Sequence, residues 1–257
     1  MPTENLTFAT EAGHELAGSI ELPDGEAKGA AVYAHCFTCT RQSKAAVAVA
    51  RALASHGFAC LRFDFTGLGD SGGEFGEAGF AQDVADVIAA AEAMHDKYGG
   101  RLLLVGHSLG GAAVLAAARR IGEDRVAAIA TIGAPADVPH VLGNIKGDLA
   151  AIERDGTGKV TIGGRTFTLE SEFIERTREA DLLAAVAKLR EPLMICHSPT
   201  DDVVGVENAS TLFEAAMHPK SFVSLDDADH LLLDENDARF AADVIAAWAQ
   251  RYLPSAG

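Results

Sequence analysis

Positive charge is scarce in this chain: 21 Lys and Arg stand against 37 Asp and Glu, a net charge of −16 over 257 residues. A surface this acidic repels phosphate backbones and anionic headgroups, so neither nucleic acid nor a membrane surface is an expected partner. Long apolar runs are missing too. No stretch reaches the ~18 uninterrupted apolar residues of a membrane span. The opening Met1-Pro2-Thr3-Glu4-Asn5 lacks the basic and apolar regions of a secretory signal. A soluble cytoplasmic protein is expected. Cysteine is rare, with four in all. Cys36 and Cys39 form a C-x-x-C, the spacing of a redox pair or of half a zinc site. No second pair follows, and Cys60 and Cys196 lie in apolar strand-like runs, where a thiol acts as a small hydrophobe. Metal is therefore not expected, and a redox role for Cys36 and Cys39 stays open. Internal repeats and low-complexity linkers are absent.

What the chain does have is apolar bulk: 48% of its residues are hydrophobic, enough at this length for one large core. A single α/β domain over residues 1–257 is expected. Leu6-Thr7-Phe8 and His14 to Ile20 alternate with period two, as an antiparallel hairpin at a sheet edge does. Ala30 to His35 and Leu102 to Val105 read as apolar runs, the signature of central parallel strands, and Phe58 to Phe63, Val126 to Ile132 and Leu193 to Cys196 read as further strands of the same core. Ser221 to Leu225 adds one more strand. Helical patterns fall between them: Ala45 to His56, Ala81 to Tyr98, Gly111 to Ala118, the region of Val206 to Met217, and Asp237 to Tyr252. Strands alternating with helices predict a mostly parallel, doubly wound sheet with helices on both faces. From about 136 to 189 the rhythm breaks. Glycines multiply, and Lys159 to Leu169 reads as a small hairpin about Gly163-Gly164. This insertion lies where a cap or lid would sit over the strand ends; a surface excursion without a catalytic part is the alternative.

Gly106-His107-Ser108-Leu109-Gly110 follows an apolar strand and opens an Ala-rich helix. Strand, G-x-S-x-G and helix together place Ser108 on a sharp turn, with glycines leaving room for the backbone. The hydroxyl is then lifted above the strand ends, where open parallel sheets bind ligands. A serine needs a base to become a good nucleophile. His230, in the loop after the last strand, is the candidate. A carboxylate should orient that imidazole, and two stand together after the preceding strand. Asp201 is preferred, with Val203-Val204 packing its loop down; Asp202 is the alternative, its other role being to cap the next helix. For the charge that develops on a carbonyl oxygen, the Leu109 N–H is one donor and the Phe37 N–H, after the Tyr33 strand, is assigned as the other. Phe37, Phe75, Phe80, Phe167 and Phe173 are candidates to line an apolar pocket, with core packing as their alternative role. Gly67-Leu68-Gly69-Asp70-Ser71-Gly72 matches G-x-G-x-x-G. No helix is expected at Gly72, however, and Gly73 to Glu77 prolongs the loop with acids, so a flexible loop beside the pocket is expected rather than a nucleotide site.

The runs Gly106-His107-Ser108-Leu109-Gly110-Gly111, Asp64-Phe65-Thr66-Gly67-Leu68-Gly69-Asp70-Ser71 and Ala228-Asp229-His230 together resemble the α/β-hydrolase superfamily over nearly the whole chain. More narrowly, Ala34-His35-Cys36-Phe37-Thr38-Cys39 and Leu61 to Gly67 resemble the hydrolase half of bacterial proteins fused to an OsmC-like peroxidase domain. With the chain ending at Gly257, no such partner domain is expected here. Cinnamoyl and feruloyl esterases carry His-Gly-Phe where this chain has His35-Cys36-Phe37. The resemblance implies hydrolysis of carboxylic esters, with Phe37 and Leu109 as oxyanion donors. The expected protein is a serine carboxylesterase for small, fairly apolar esters, with Ser108, Asp201 and His230 as its triad and no cofactor. Thioester, amide or feruloyl-type ester hydrolysis on the same triad is the alternative, as is a non-catalytic module partnering a redox domain. A homo-oligomer stays open.

Overall fold

Eight strands run through one twisted sheet in a computed structural model of the chain, which describes residues 1–253. The period-two alternation near the start gives β1 (Thr3–Ala9) and β2 (Glu15–Glu21), paired antiparallel with Thr3 opposite Glu21. Then β3 (Gly29–Ala34), α1 (Lys44–Ser55), β4 (Phe58–Phe63), α2 (Phe75–Tyr98), β5 (Leu102–His107), α3 (Leu109–Ile121) and β6 (Val126–Ile132) alternate. A 3-10 helix at Pro139–Asn144, α4 (Leu149–Asp155), the hairpin β7 (Thr157–Ile162) and β8 (Arg165–Glu170), α5 (Ser171–Arg178) and α6 (Leu182–Val186) make up the insertion. The alternation resumes with β9 (Leu193–His197), α7 (Glu207–Ala215), β10 (Lys220–Ser224) and α8 (Glu235–Ala249).

In space the strands follow the order β1-β2-β4-β3-β5-β6-β9-β10. Within this eight-stranded sheet, among the described residues, only the β1–β2 and β2–β4 ladders are antiparallel. The others are parallel, because each crossover carries the chain back through a helix. Every residue of β4, β5, β6 and β9 is buried, as strands covered on both faces must be. Val32, Leu61, Leu104 and Ile129 point to one layer with α2 and α3; Tyr33, Cys60, Leu103 and Ala130 point to the other with α1 and α8.

Two local expectations give way. Helix α2 starts at Phe75 rather than Ala81. Phe75 is buried in an aromatic cluster with Phe37, Phe167 and Phe173, which gives the first turn an apolar face to pack. Gly79 then turns through φ +61° to join that turn to the rest of the helix. The Gly67–Gly72 loop is tied down rather than flexible. Asp64 accepts from the Asp70 N–H at 3.0 Å, and the Ser71 hydroxyl donates to the Asp64 carbonyl at 2.6 Å. A Cβ on Gly69 would lie 2.1 Å from the Asp64 carboxylate, so the glycine is needed for that carboxylate to approach. The same carboxylate pairs with Arg41 and accepts its backbone N–H at 2.6 Å, linking this loop to the one after β3.

Candidate active site

Ser108 occupies the junction of β5 and α3 at φ +54° and ψ −123°, in the left-handed region that non-glycine residues rarely enter. Its surroundings enforce the turn. A Cβ on Gly106 would meet the Gly110 carbonyl at 2.3 Å, and one on Gly110 would meet the Ala34 carbonyl at 2.3 Å. Both glycines of the motif are therefore demanded by close backbone contact, and the hydroxyl between them is turned into a cleft above the strand ends.

Three distant stretches meet in that cleft. His230, in the loop after β10, has Nε2 at 3.0 Å from the Ser108 hydroxyl and Nδ1 at 2.7 Å from Asp201 Oδ2. A carboxylate only accepts, so Nδ1 carries the hydrogen and Nε2 is free to accept from the serine. Asp201 is fixed by its second oxygen, which accepts from the Val203 N–H at 2.9 Å and the Val204 N–H at 2.8 Å. Burial alone would raise its pKa. The hydrogen bonds from His230, Val204 and Val203 outweigh that and hold the carboxyl below its usual range. Asp202 is exposed and takes neither role considered for it. The contact to His230 is made by Asp201, and α7 begins only at Glu207, after a Val206 cap position with no side-chain bond.

Phe37 and Leu109 both border the cleft. Leu109 is the first residue of α3, so its N–H is one of the donors a helix leaves unpaired. The Phe37 N–H donates to no backbone group among the described residues. The cleft encloses about 210 Å³ and is walled on one side by the insertion, through His140, Val141, Asn144, Ile162 and Gly163. Of the five phenylalanines considered as pocket lining, Phe37 alone borders it. Phe75, 5.7 Å from Phe37 between ring centroids, lies behind it on a smaller neighbouring cavity. Phe80 and Phe173 are buried in the core, and Phe167 packs against Phe75 with centroids 4.6 Å apart. Phe75, Phe167 and Phe173 pack among themselves and Phe80 packs in the core, out of the cleft.

The roles of three further histidines escaped the reading of the sequence: His107 and His197 close β5 and β9, and His35 stands just past β3. His107 donates from Nε2 to the His230 carbonyl at 2.6 Å. His197 donates from Nε2 to the Val204 carbonyl at 2.7 Å, bracing the turn that holds Asp201. His35 donates from Nδ1 to the Cys36 carbonyl at 2.9 Å. Burial lowers the pKa of His35 and His107 to about 4, so both stay neutral near pH 7. A polar residue ending an all-apolar run was the available signal. Cys36 and Cys39 are joined in a disulfide. Among the described residues no group of three or more His, Cys, Asp or Glu is arranged to hold a metal ion, and no helix is long and apolar enough to cross a membrane.

A nearly all-parallel, doubly wound sheet with a strained serine between its central strand and the next helix defines a class of hydrolases. The chain belongs to the alpha/beta hydrolase family, matching it over residues 29–243. The esterase domain of a Rhodothermus marinus protein is 44% identical, with a TM-score of 0.80 over 99% of this chain and 100% of that one. Est1E of Butyrivibrio proteoclasticus, solved with ferulic acid bound, shares the fold at 19% identity, with a TM-score of 0.82 over 96% of this chain and 98% of its own. The mitochondrial palmitoyl-protein thioesterase ABHD10 of Homo sapiens is 29% identical over 164 residues, 62% of this chain and 52% of that protein. Family and fold are those of an alpha/beta hydrolase, with an esterase domain among the similar chains.

Proposed function

We propose that the chain is a serine carboxylesterase that cleaves small, fairly apolar carboxylic esters through an acyl-enzyme. The observation that carries this reading is the unbroken line of contacts from the Ser108 hydroxyl to His230 and on to Asp201. His230 takes the serine proton as Ser108 attacks the ester carbonyl, and Asp201 stabilises the imidazolium that results. The Phe37 and Leu109 N–H groups hold the oxyanion, an interaction worth about 10²–10³ in rate per donor. His230 then returns the proton to the departing alcohol. Water, activated by the same imidazole, attacks the acyl-enzyme and frees the acid, so water is the only co-substrate. The insertion serves as a cap whose Val141 and Ile162 favour an apolar acyl or alcohol group. A cleft of about 210 Å³ suits a short ester better than a long chain.

A second reading is thioester cleavage, supported by the likeness to a relative named as a thioesterase. The same three side chains serve it, because only the leaving group changes. Hydrolysis of p-nitrophenyl acetate and butyrate, beside acyl-CoA and feruloyl esters, decides between them. Ser108→Ala should abolish turnover of every substrate while the thermal melt stays that of the parent. Turnover at the parent rate in that variant would overturn both readings, since neither works without the Ser108 hydroxyl; a parent protein that turns over none of these substrates would leave a non-catalytic binding role.

A further inference from the structure

The peptide group whose N–H is assigned to the oxyanion is held from its other side. The Cys36 carbonyl accepts from the Cys39 N–H at 3.1 Å and from His35 Nδ1–H at 2.9 Å. That carbonyl and the Phe37 N–H belong to one planar unit. In a trans peptide the two point in opposite directions, so two donors on the carbonyl orient the N–H away from them. The Cys36–Cys39 disulfide closes the same turn, with Cα atoms 5.4 Å apart. Thr38, inside the closed ring, stands at φ +59°, a conformation that a β-branched residue keeps only under constraint. Cys36, Phe37 and Thr38 all border the Ser108 cleft.

We infer that the Cys36–Cys39 disulfide is a redox-sensitive positioning element of the oxyanion hole, and that its reduction by a small dithiol slows ester cleavage without weakening substrate binding. The inference rests on the proposed esterase role of the Phe37 N–H. Cys36 is buried and Cys39 half-buried, so exchange starts at Cys39. A dithiol thiolate attacks Cys39 Sγ. The S–S bond breaks, and its electron pair leaves on Cys36 as a thiolate that takes up a proton. The reductant's second thiolate then attacks its own sulfur in the mixed disulfide and releases Cys39 as a thiol. Two electrons and two protons reach the protein, and the dithiol departs as a cyclic disulfide. Cys60 and Cys196 stay outside this exchange. Both are fully buried, and burial pushes their thiols up, that of Cys196 to about 12. With the ring open, nothing covalent holds the Cys39 N–H against the Cys36 carbonyl, the His35 hydrogen bond is left to restrain that carbonyl, and the Phe37 N–H loses aim rather than disappearing.

The test uses the full chain with p-nitrophenyl butyrate, oxidised and after anaerobic treatment with dithiothreitol, the two new thiols being counted by alkylation and mass. Removing an oxyanion donor outright costs about 10²–10³ in rate, so misaiming one should lower kcat about 10- to 100-fold. KM should stay within about twofold and reoxidation should restore kcat. The double variant Cys36→Ser/Cys39→Ser should be slow from the start and indifferent to dithiothreitol. Full kcat in verified reduced protein overturns the inference, as does a loss carried by KM or a dithiothreitol effect that persists in the double variant. Oxidised protein that cleaves no ester at all overturns the esterase reading itself, and this inference with it. Active protein that ignores reduction removes the inference alone.

Discussion

His107 donates its Nε2–H to the main-chain carbonyl of His230 across 2.6 Å. The residue beside the nucleophile thus grips the backbone of the residue proposed as its base, and their rings lie 5.4 Å apart between centroids. His107 is buried, and its pKa, lowered by burial and by the neighbouring His230, keeps it neutral and a constant donor near pH 7. Replacing it leaves a buried carbonyl unpaired and lets the His230 loop shift. Displacements of about 1 Å at a catalytic group can cost about 10² in rate. His107→Phe should therefore lower kcat about 10- to 100-fold with little change in KM. His107→Gln, which keeps an N–H donor, should recover most of the loss. Equal kcat in the Phe variant and the parent would show that the grip has no bearing on the reaction.

Asp201 and Asp202 are neighbours with opposite surroundings. Asp201 is bound by His230 and by two backbone N–H groups, whereas Asp202 faces solvent. Asp201→Asn keeps the shape but replaces an acceptor-only carboxylate with an amide, which favours the wrong imidazole tautomer; a fall in kcat of about 10³–10⁴ is expected. Asp202→Asn should change kcat less than about twofold, the usual scale for an exposed site away from the chemistry. Steady-state rates of the two variants side by side check this. A larger loss at Asp202 would reassign the acid.

The strand-helix alternation and the G-x-S-x-G elbow were legible because both are local. Buried strands read as apolar runs, and Gly106 and Gly110 sit where the chain approaches itself too closely for any side chain. The three contacting side chains were legible by chain order alone. What stayed hidden depends on contacts between distant segments. The first turn of α2 forms because Phe75 packs on Phe167 and Phe173 of the insertion, which no window around residue 75 contains. The Gly67–Gly72 loop looked loose because its anchors, Asp64 and Glu15, lie outside it. The histidines that close β5 and β9, and His35 just past β3, showed only as polar residues ending apolar runs; their roles stayed hidden, since each one's partner is a single distant or neighbouring carbonyl.

Those buried histidines set a stability profile with a definite sign. His35 and His107 fall from an ordinary pKa of 6.5 to about 4 in the fold, for both chiefly through burial. Between these values the unfolded chain binds protons that the folded one refuses. Their contribution is therefore complete above pH 6.5 and is lost as pH falls toward 4, at roughly 3 kcal/mol for each ring. Asp83 and Asp86 act in the other direction. Burial raises both carboxyls, that of Asp83 also through the charge of Asp86, so their protonated forms favour the fold at low pH. Asp201, held low, matters only below the ordinary carboxylate range. The difference between the parent and His107→Gln isolates one ring from this background. Urea unfolding of both proteins from about pH 7 to about pH 4.5 should show the parent losing its margin over the variant by roughly 2 kcal/mol or more. Two curves that stay parallel across that range would mean that His107 titrates in the fold as it does in the open chain.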